Sequence, residues 1–212
     1  MGKYKVVLFD FDGTLMDTSE GIYESAFYSL DKLKVKIPDT VNLIEFIGPP
    51  LSYGFSHVFN IKDSVLVSNL ITVFREHYHK IGAFKAKFYS GFPDILNTLY
   101  QMKFILGISS MKNTDLINVM LKYFKFNQYF SGVFGLNLKS TNTKADVIKD
   151  AIDYFSVKPS ECVLVGDSKY DYEGAEIAGV DCIKVNWGFG FKASDFDTVS
   201  NTEELLQKII NA

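Results

Sequence analysis

Cysteine is nearly absent, with Cys162 and Cys182 the only two in 212 residues. Both fall in apolar, strand-like runs, which reads as two reduced, buried thiols and excludes a disulfide-stapled scaffold. No apolar run approaches the roughly 18 residues that a membrane helix needs. The first strand begins almost at once, with no basic-then-apolar leader ahead of it, so a cytoplasmic protein without membrane attachment is expected. The 22 basic residues, set against 25 acidic ones for a net charge of −3, form no dense block. Nucleic acid, which favours a clustered basic face, is therefore not an expected partner. Histidine is scarce too, at positions 57, 77 and 79. His77 and His79 stand two apart, which on a helix sets them on different faces, so a histidine metal site is not expected. Internal repeats and low-complexity stretches are lacking as well.

What the chain does contain is apolar bulk. Hydrophobic residues make up 47%, and 19 Phe with 12 Tyr bring aromatics to 15%, enough for a bulky folded core. The length suits one good core, or a main domain carrying a smaller insertion.

The run Val6-Val7-Leu8-Phe9-Asp10-Phe11-Asp12-Gly13-Thr14-Leu15 is the most telling stretch. It has the continuous apolar character of a fully buried parallel strand and ends in two carboxylates one residue apart. In open α/β sheets the ligand crevice lies beyond the carboxyl ends of the strands, so Asp10 and Asp12 are candidate site residues. Two such acids repel unless a cation or a shared proton relieves them. Gly13 lets the backbone turn sharply or approach a ligand closely.

From Asp17-Thr18-Ser19, a cluster of cap residues, residues 16–85 read as all-helical. Helical spacing runs through Ile22 to Leu33. Pro38-Asp39 opens a short helical run over Val41 to Ile47, broken by Gly48-Pro49-Pro50-Leu51. Another helix is expected over Leu51 to Phe59. A longer one, capped by Asp63 or Ser64, carries Leu66, Leu70, Phe74 and Tyr78.

The pattern then alternates. Strands are expected over Phe104 to Ile108, Val133-Phe134, Cys162 to Val165 and Cys182 to Val185. Helices are expected from Gly91, over Asp115 to Phe124, after a Thr143 cap, over Asp171 to Ala178 with Gly179 as C-cap, and over Glu203 to Ile210. This predicts an α/β fold: a Rossmann-like parallel sheet with helices on both faces, plus a small all-helical domain inserted after the first strand. Residues 1–15 and 86–212 form the core domain of this reading, and 16–85 the insertion.

Three segments repeat the logic of the first strand. Ser109-Ser110 follow the strand ending at Ile108, Lys144 begins a helix after Val133-Phe134, and Gly166-Asp167-x-x-x-Asp171 follows the strand ending at Val165. In a parallel sheet these ends share one edge, so their polar groups are able to meet in one crevice.

This combination resembles the haloacid dehalogenase-like hydrolases over the whole chain. Asp10-Phe-Asp12-Gly-Thr14 is similar to the family's first motif, and Ser109 and Lys144 occupy the second- and third-motif positions. Gly166-Asp167-x-x-x-Asp171 is similar to the fourth motif. The insertion resembles the helical cap of one branch, and Gly48-Pro49-Pro50-Leu51 is similar to the cap loop of its phosphoglycolate phosphatase-like and 5′-nucleotidase-like members.

The resemblance implies an Mg2+-dependent phosphatase in which Asp10 attacks phosphorus and forms an aspartyl-phosphate. It implies metal ligation by Asp10, Asp167 and the backbone carbonyl of Asp12, whose side chain serves as general acid and base. Ser109 would hydrogen-bond the phosphoryl oxygens, and Lys144 would neutralise their charge. Asp171 would ligate the metal or orient Lys144. Gly13, Thr14 and Ser110 are further expected substrate contacts. Lys112 either touches phosphate or caps a helix, and Gly48 to Leu51 either face substrate or separate two helices. Trp187 and Gly188-Phe189-Gly190 line the crevice or serve packing. The expected substrate is a small phosphomonoester of the phosphoglycolate type, acted on by a monomer or homodimer. A 5′-nucleotidase, a pyrophosphatase, a sugar phosphomutase and a non-catalytic binding module are the alternatives.

Overall fold

The computed structural model describes residues 2–38, 40–137 and 141–212. In chain order, β1 (Val6–Phe9) and β2 (Met16–Asp17) precede α1 (Ser19–Lys32), α2 (Leu51–Tyr53) and α3 (Ser64–Lys80). Then come β3 (Lys87–Phe88), α4 (Phe92–Gln101), β4 (Ile105–Asn113), α5 (Thr114–Tyr123) and β5 (Gly132–Leu136). The chain closes with α6 (Lys144–Phe155), β6 (Cys162–Gly166), α7 (Lys169–Ala178), β7 (Asp181–Val185), β8 (Thr198–Val199) and α8 (Thr202–Ile210). It divides into two compact units, Met1–Asp17 with Phe88–Ala212, and Thr18–Lys87.

The first unit is built on a six-stranded parallel sheet in the order β5-β4-β1-β6-β7-β8. The apolar run of β1 is buried on both sides, as its composition requires. Val6 and Leu8 pack into a cluster with Ile148, Ala151 and Ile152 of α6, Leu164, and Ala175 and Ala178 of α7. On the opposite face the Phe9 ring meets the edge of Phe92 from α4, at 5.9 Å. From β1 the chain passes outward to β4 and β5, then crosses back from β5 to β6 on the other side of β1, which makes the end of β1 a topological switch point.

β4 runs to Asn113, five residues past the expected end at Ile108. Its pairing with β5 shifts register between Ser109 and Asn113. Ser109, Ser110 and Lys112 thus belong to the strand itself rather than to a loop after it. The two-residue strands β2, β3 and β8 were too short to leave an apolar pattern.

The second unit is helical. Asp63 caps α3, accepting bonds from the amides of Val65 and Leu66. Thr18 precedes α1 without a side-chain bond to the helix. The expected helix over Leu51 to Phe59 is instead a three-residue α turn continued by a π-helical turn, Gly54–Val58. A Cβ at Gly54 would stand 2.6 Å from the Phe46 ring, so glycine there lets Phe46 close on Phe55 at 5.1 Å. The run after Pro38 forms only a 3-10 turn, Leu43–Phe46, and Asp39 lies outside the described residues. His77 is buried, with Nδ1 2.9 Å from the Ser25 hydroxyl and its ring stacked on Tyr28. His57 stacks on Tyr53. Among the described residues no helix is long and apolar enough to cross a membrane.

Candidate active site

The first acidic residue is placed by the sheet. Asp10 continues β1, its amide donating to the Val165 carbonyl at 2.9 Å, and its side chain is buried at the switch point. The chain then folds back through Gly13, whose φ of +85° favours glycine and whose amide donates to Met16 O at 2.9 Å. A Cβ at this position would fall on the carboxylate of Asp167.

The neighbouring strands bring the other groups. Lys144 opens α6, behind a reciprocal cap between Thr143 and Asp146. Its buried ammonium donates to Asp10 Oδ1 at 2.6 Å and to the Ser109 carbonyl at 2.7 Å. It also pairs with Asp171 Oδ1 at 2.6 Å, so three acceptors surround a group with three donors. Asp171 Oδ2 accepts from the Ser168 amide at 3.0 Å and the Ser168 hydroxyl at 2.6 Å. Both oxygens of Asp171 are therefore engaged within the protein. Ser168 was not singled out as a site residue, although its Ser-x-x-Asp spacing to Asp171 is that of a capping box.

Asp167, at the end of β6, accepts from the Thr14 hydroxyl through Oδ1 at 3.0 Å. Its Oδ2 accepts from the amides of Phe189 at 2.8 Å and Gly190 at 3.3 Å. Those amides belong to the turn after β7, whose role sequence reasoning left between crevice lining and packing. Its glycines at 188 and 190 were the available signal.

Asp12 is held by Lys112, whose ammonium lies 2.9 and 3.1 Å from the two carboxylate oxygens. Ser110 is buried and accepts from the Lys112 amide. Ser109 is fully buried, and its hydroxyl has no hydrogen-bond partner among the described residues. A buried hydroxyl left unpaired costs stability, and Thr18 Oγ1 is in the same state. Gly48 (φ +102°), Pro49, Pro50 and Leu51 are part of the helical unit.

The electrostatics follow from burial and crowding. Asp10, Asp167 and Asp171 each present an oxygen within 4.8 Å of the others, a group able to hold a metal ion. Desolvation pushes the Asp10 carboxyl well above the usual carboxylate range; Lys144 opposes this, and Asp171 and Asp167 add to it. Burial likewise raises Asp167, with Asp171 adding, to about 6 despite its three donors. For Lys144 burial works against the charge, but Asp10 and Asp171 outweigh it and its pKa rises. Lys144 is thus a fixed cation among acids whose negative charge is only partly balanced.

Residues 7–185 match the haloacid dehalogenase-like hydrolase family. The chain belongs to that family, and it is a phosphatase of the phosphoric monoester hydrolase class. It is similar to a 5′-nucleotidase of Pseudomonas aeruginosa, 31% identical over 89% of this chain and 85% of that one. Pyrophosphatase PpaX of Anoxybacillus flavithermus is 30% identical over 85% of this chain and 83% of its own. Among solved structures, a predicted phosphatase of Clostridium acetobutylicum superposes with a TM-score of 0.87 at 32% identity, covering all of both chains.

Proposed function

We propose that this phosphatase is Mg2+-dependent and hydrolyses a small phosphomonoester through a phosphoryl group carried on Asp10. The observation that carries the reading is the buried Asp10 carboxylate, aligned by Lys144 beside the unpartnered Ser109 hydroxyl. The donor set fits the ion: clustered carboxylate oxygens are hard ligands, and of the three buried acids Lys144 pairs with only Asp10 and Asp171. Asp10 and Asp167 would hold it with the Asp12 backbone carbonyl, while Asp171, already engaged by Lys144 and Ser168, orients the lysine. Bound there, Mg2+ would supply positive charge to the phosphate oxygens in the transition state.

The chain's own groups carry the steps. An Asp10 oxygen attacks phosphorus as the bond to the ester oxygen breaks, and the Asp12 carboxyl gives the leaving alkoxide its proton. Asp12 then takes a proton from water, which attacks the phosphoryl group on Asp10 and releases inorganic phosphate with Asp10 restored. The Lys112 ammonium fixes the Asp12 carboxylate for both transfers. Lys144 and the Ser109 hydroxyl stabilise the phosphoryl oxygens, and Ser110, Gly13 and Thr14 complete the pocket wall. Selection of the leaving group falls to the helical unit as a cap, Gly48 to Leu51 included. A cytoplasmic setting is part of the same reading.

The substrate proposed first is phosphoglycolate or a similarly small ester; the Pseudomonas 5′-nucleotidase favours a nucleoside 5′-monophosphate as the second reading. A panel of phosphoglycolate, nucleoside 5′-monophosphates, sugar phosphates and pyrophosphate, assayed with Mg2+ and with EDTA, decides. Chelator-sensitive phosphate release with one favoured ester supports the reading. A preference for nucleotides keeps the chemistry and replaces the substrate, and no release from any ester by folded protein overturns both.

A further inference from the structure

The turn between β7 and β8 meets the site through three backbone amides. Phe189 and Gly190 donate their amides to Asp167 Oδ2, and Phe191 donates its amide to the Asp167 carbonyl at 2.7 Å. The approach is so close that a Cβ at Gly188 would fall on Gly13 O and on the Asp167 carboxylate. A Cβ at Gly190 would lie 2.5 Å from the Asp167 carbonyl oxygen. One side chain also ties this turn to the loop that follows β1. The indole Nε1 of Trp187 donates to the Thr14 carbonyl at 3.1 Å, while the Thr14 hydroxyl donates to Asp167 Oδ1 at 3.0 Å. Its ring also makes a T-shaped contact with the Phe92 ring, centroids 6.0 Å apart.

These bonds close a ring: Trp187 to Thr14, Thr14 to Asp167, and Asp167 back to the amides that follow Trp187. We propose that Trp187 is a positioning residue for the acidic site. Its N–H locks the 187–190 turn to the Asp10–Thr14 loop and thereby fixes the direction of the Asp167 carboxylate. Cation affinity then depends on a side chain that touches neither cation nor substrate. Residues that orient a ligand in this way commonly change metal affinity by about 10–100-fold when altered. The inference rests on the reading above that Asp167 helps to hold a divalent cation.

Trp187 is the chain's only tryptophan, so analogue incorporation alters this one position. The full chain is prepared in four forms: wild type, W187F, and protein carrying benzothienylalanine or 5-fluorotryptophan in place of tryptophan. Benzothienylalanine keeps the bicyclic shape and lacks the N–H; 5-fluorotryptophan retains it. Mn2+ binding is followed by loss of the free-ion EPR signal, with Mg2+ measured by competition and circular dichroism checking the fold. The expected result is Mn2+ and Mg2+ affinity weakened at least about tenfold in W187F and the benzothienyl protein, and wild-type affinity with 5-fluorotryptophan. Equal affinity in the benzothienyl and fluorinated proteins would overturn the proposal while leaving the metal site standing. Should W187F fail to fold, the two analogue proteins carry the comparison alone. A wild-type chain that binds neither cation would overturn the metal reading and the proposal with it.

Discussion

Asp171 grips Lys144. Its Oδ1 lies 2.6 Å from the ammonium, and its Oδ2 is anchored by the Ser168 amide and hydroxyl at the start of α7. The lysine is thereby aimed at Asp10 from a fixed direction, which is the arrangement an anionic transition state needs. Asp171→Asn keeps the shape but removes the charge, so the lysine loses one of its partners. The expected outcome is a kcat lowered about 10–100-fold with cation affinity little changed. A fall confined to cation affinity would make Asp171 a metal ligand instead.

Ser109 separates stability from function. Its buried hydroxyl makes no hydrogen bond among the described residues, so replacing it by alanine removes a desolvated polar group. Thermal unfolding of Ser109→Ala is expected to show equal or greater stability, by up to roughly 1 kcal/mol. Phosphatase kcat/KM should fall about 100-fold, as it does when one oxyanion donor is removed.

The raised pKa of Asp167 gives a pH signature in chelated protein. The folded state keeps its proton up to about 6, whereas the ordinary carboxyl value is 3.8. Between those values the folded form binds more protons than the unfolded, so this residue's contribution falls as pH rises. Asp167→Asn escapes that loss. In EDTA its stability relative to wild type should climb, by on the order of 3 kcal/mol, from below pH 4 to above pH 6. Denaturant melts across that range test it, and a flat difference would contradict the burial argument.

In the helical unit, Gly21 and Gly82 meet backbone to backbone, and a Cβ at Gly21 would overlap the Gly82 carbonyl. Gly21→Ala is expected to destabilise the protein by about 1–3 kcal/mol through overpacking. Gly48 has open space around its missing Cβ but a φ of +102°. Gly48→Ala should therefore cost about 1–2 kcal/mol, from backbone strain alone. Denaturant midpoints of the two variants check both.

Asp10 and Asp167 were legible because each directly follows a strand with a clear apolar run, β1 ending at Phe9 and β6 ending at Gly166. Lys144 was legible from the Thr143 cap that starts its helix. The end of β4 was not, since Ser109 to Asn113 are polar apart from Met111 and pair with β5 through an irregular register. The clamp on Asp167 is made of backbone amides, which leave no side-chain signature; only the close spacing of Gly188 and Gly190 pointed to it. The π-helical turn at Gly54–Val58 depends on Phe46 packing from elsewhere in the unit, which local periodicity does not record.

In the proposed mechanism phosphorus passes through the Asp10 carboxylate. The most direct measurement is acid quenching during turnover of a labile phosphate ester with Mg2+, followed by borohydride reduction and peptide mass mapping. Homoserine is expected at position 10, formed only during turnover and lost in Asp10→Asn, which should also release no phosphate. Turnover retained by Asp10→Asn, or a trapped phosphoryl group on any other residue, would contradict it.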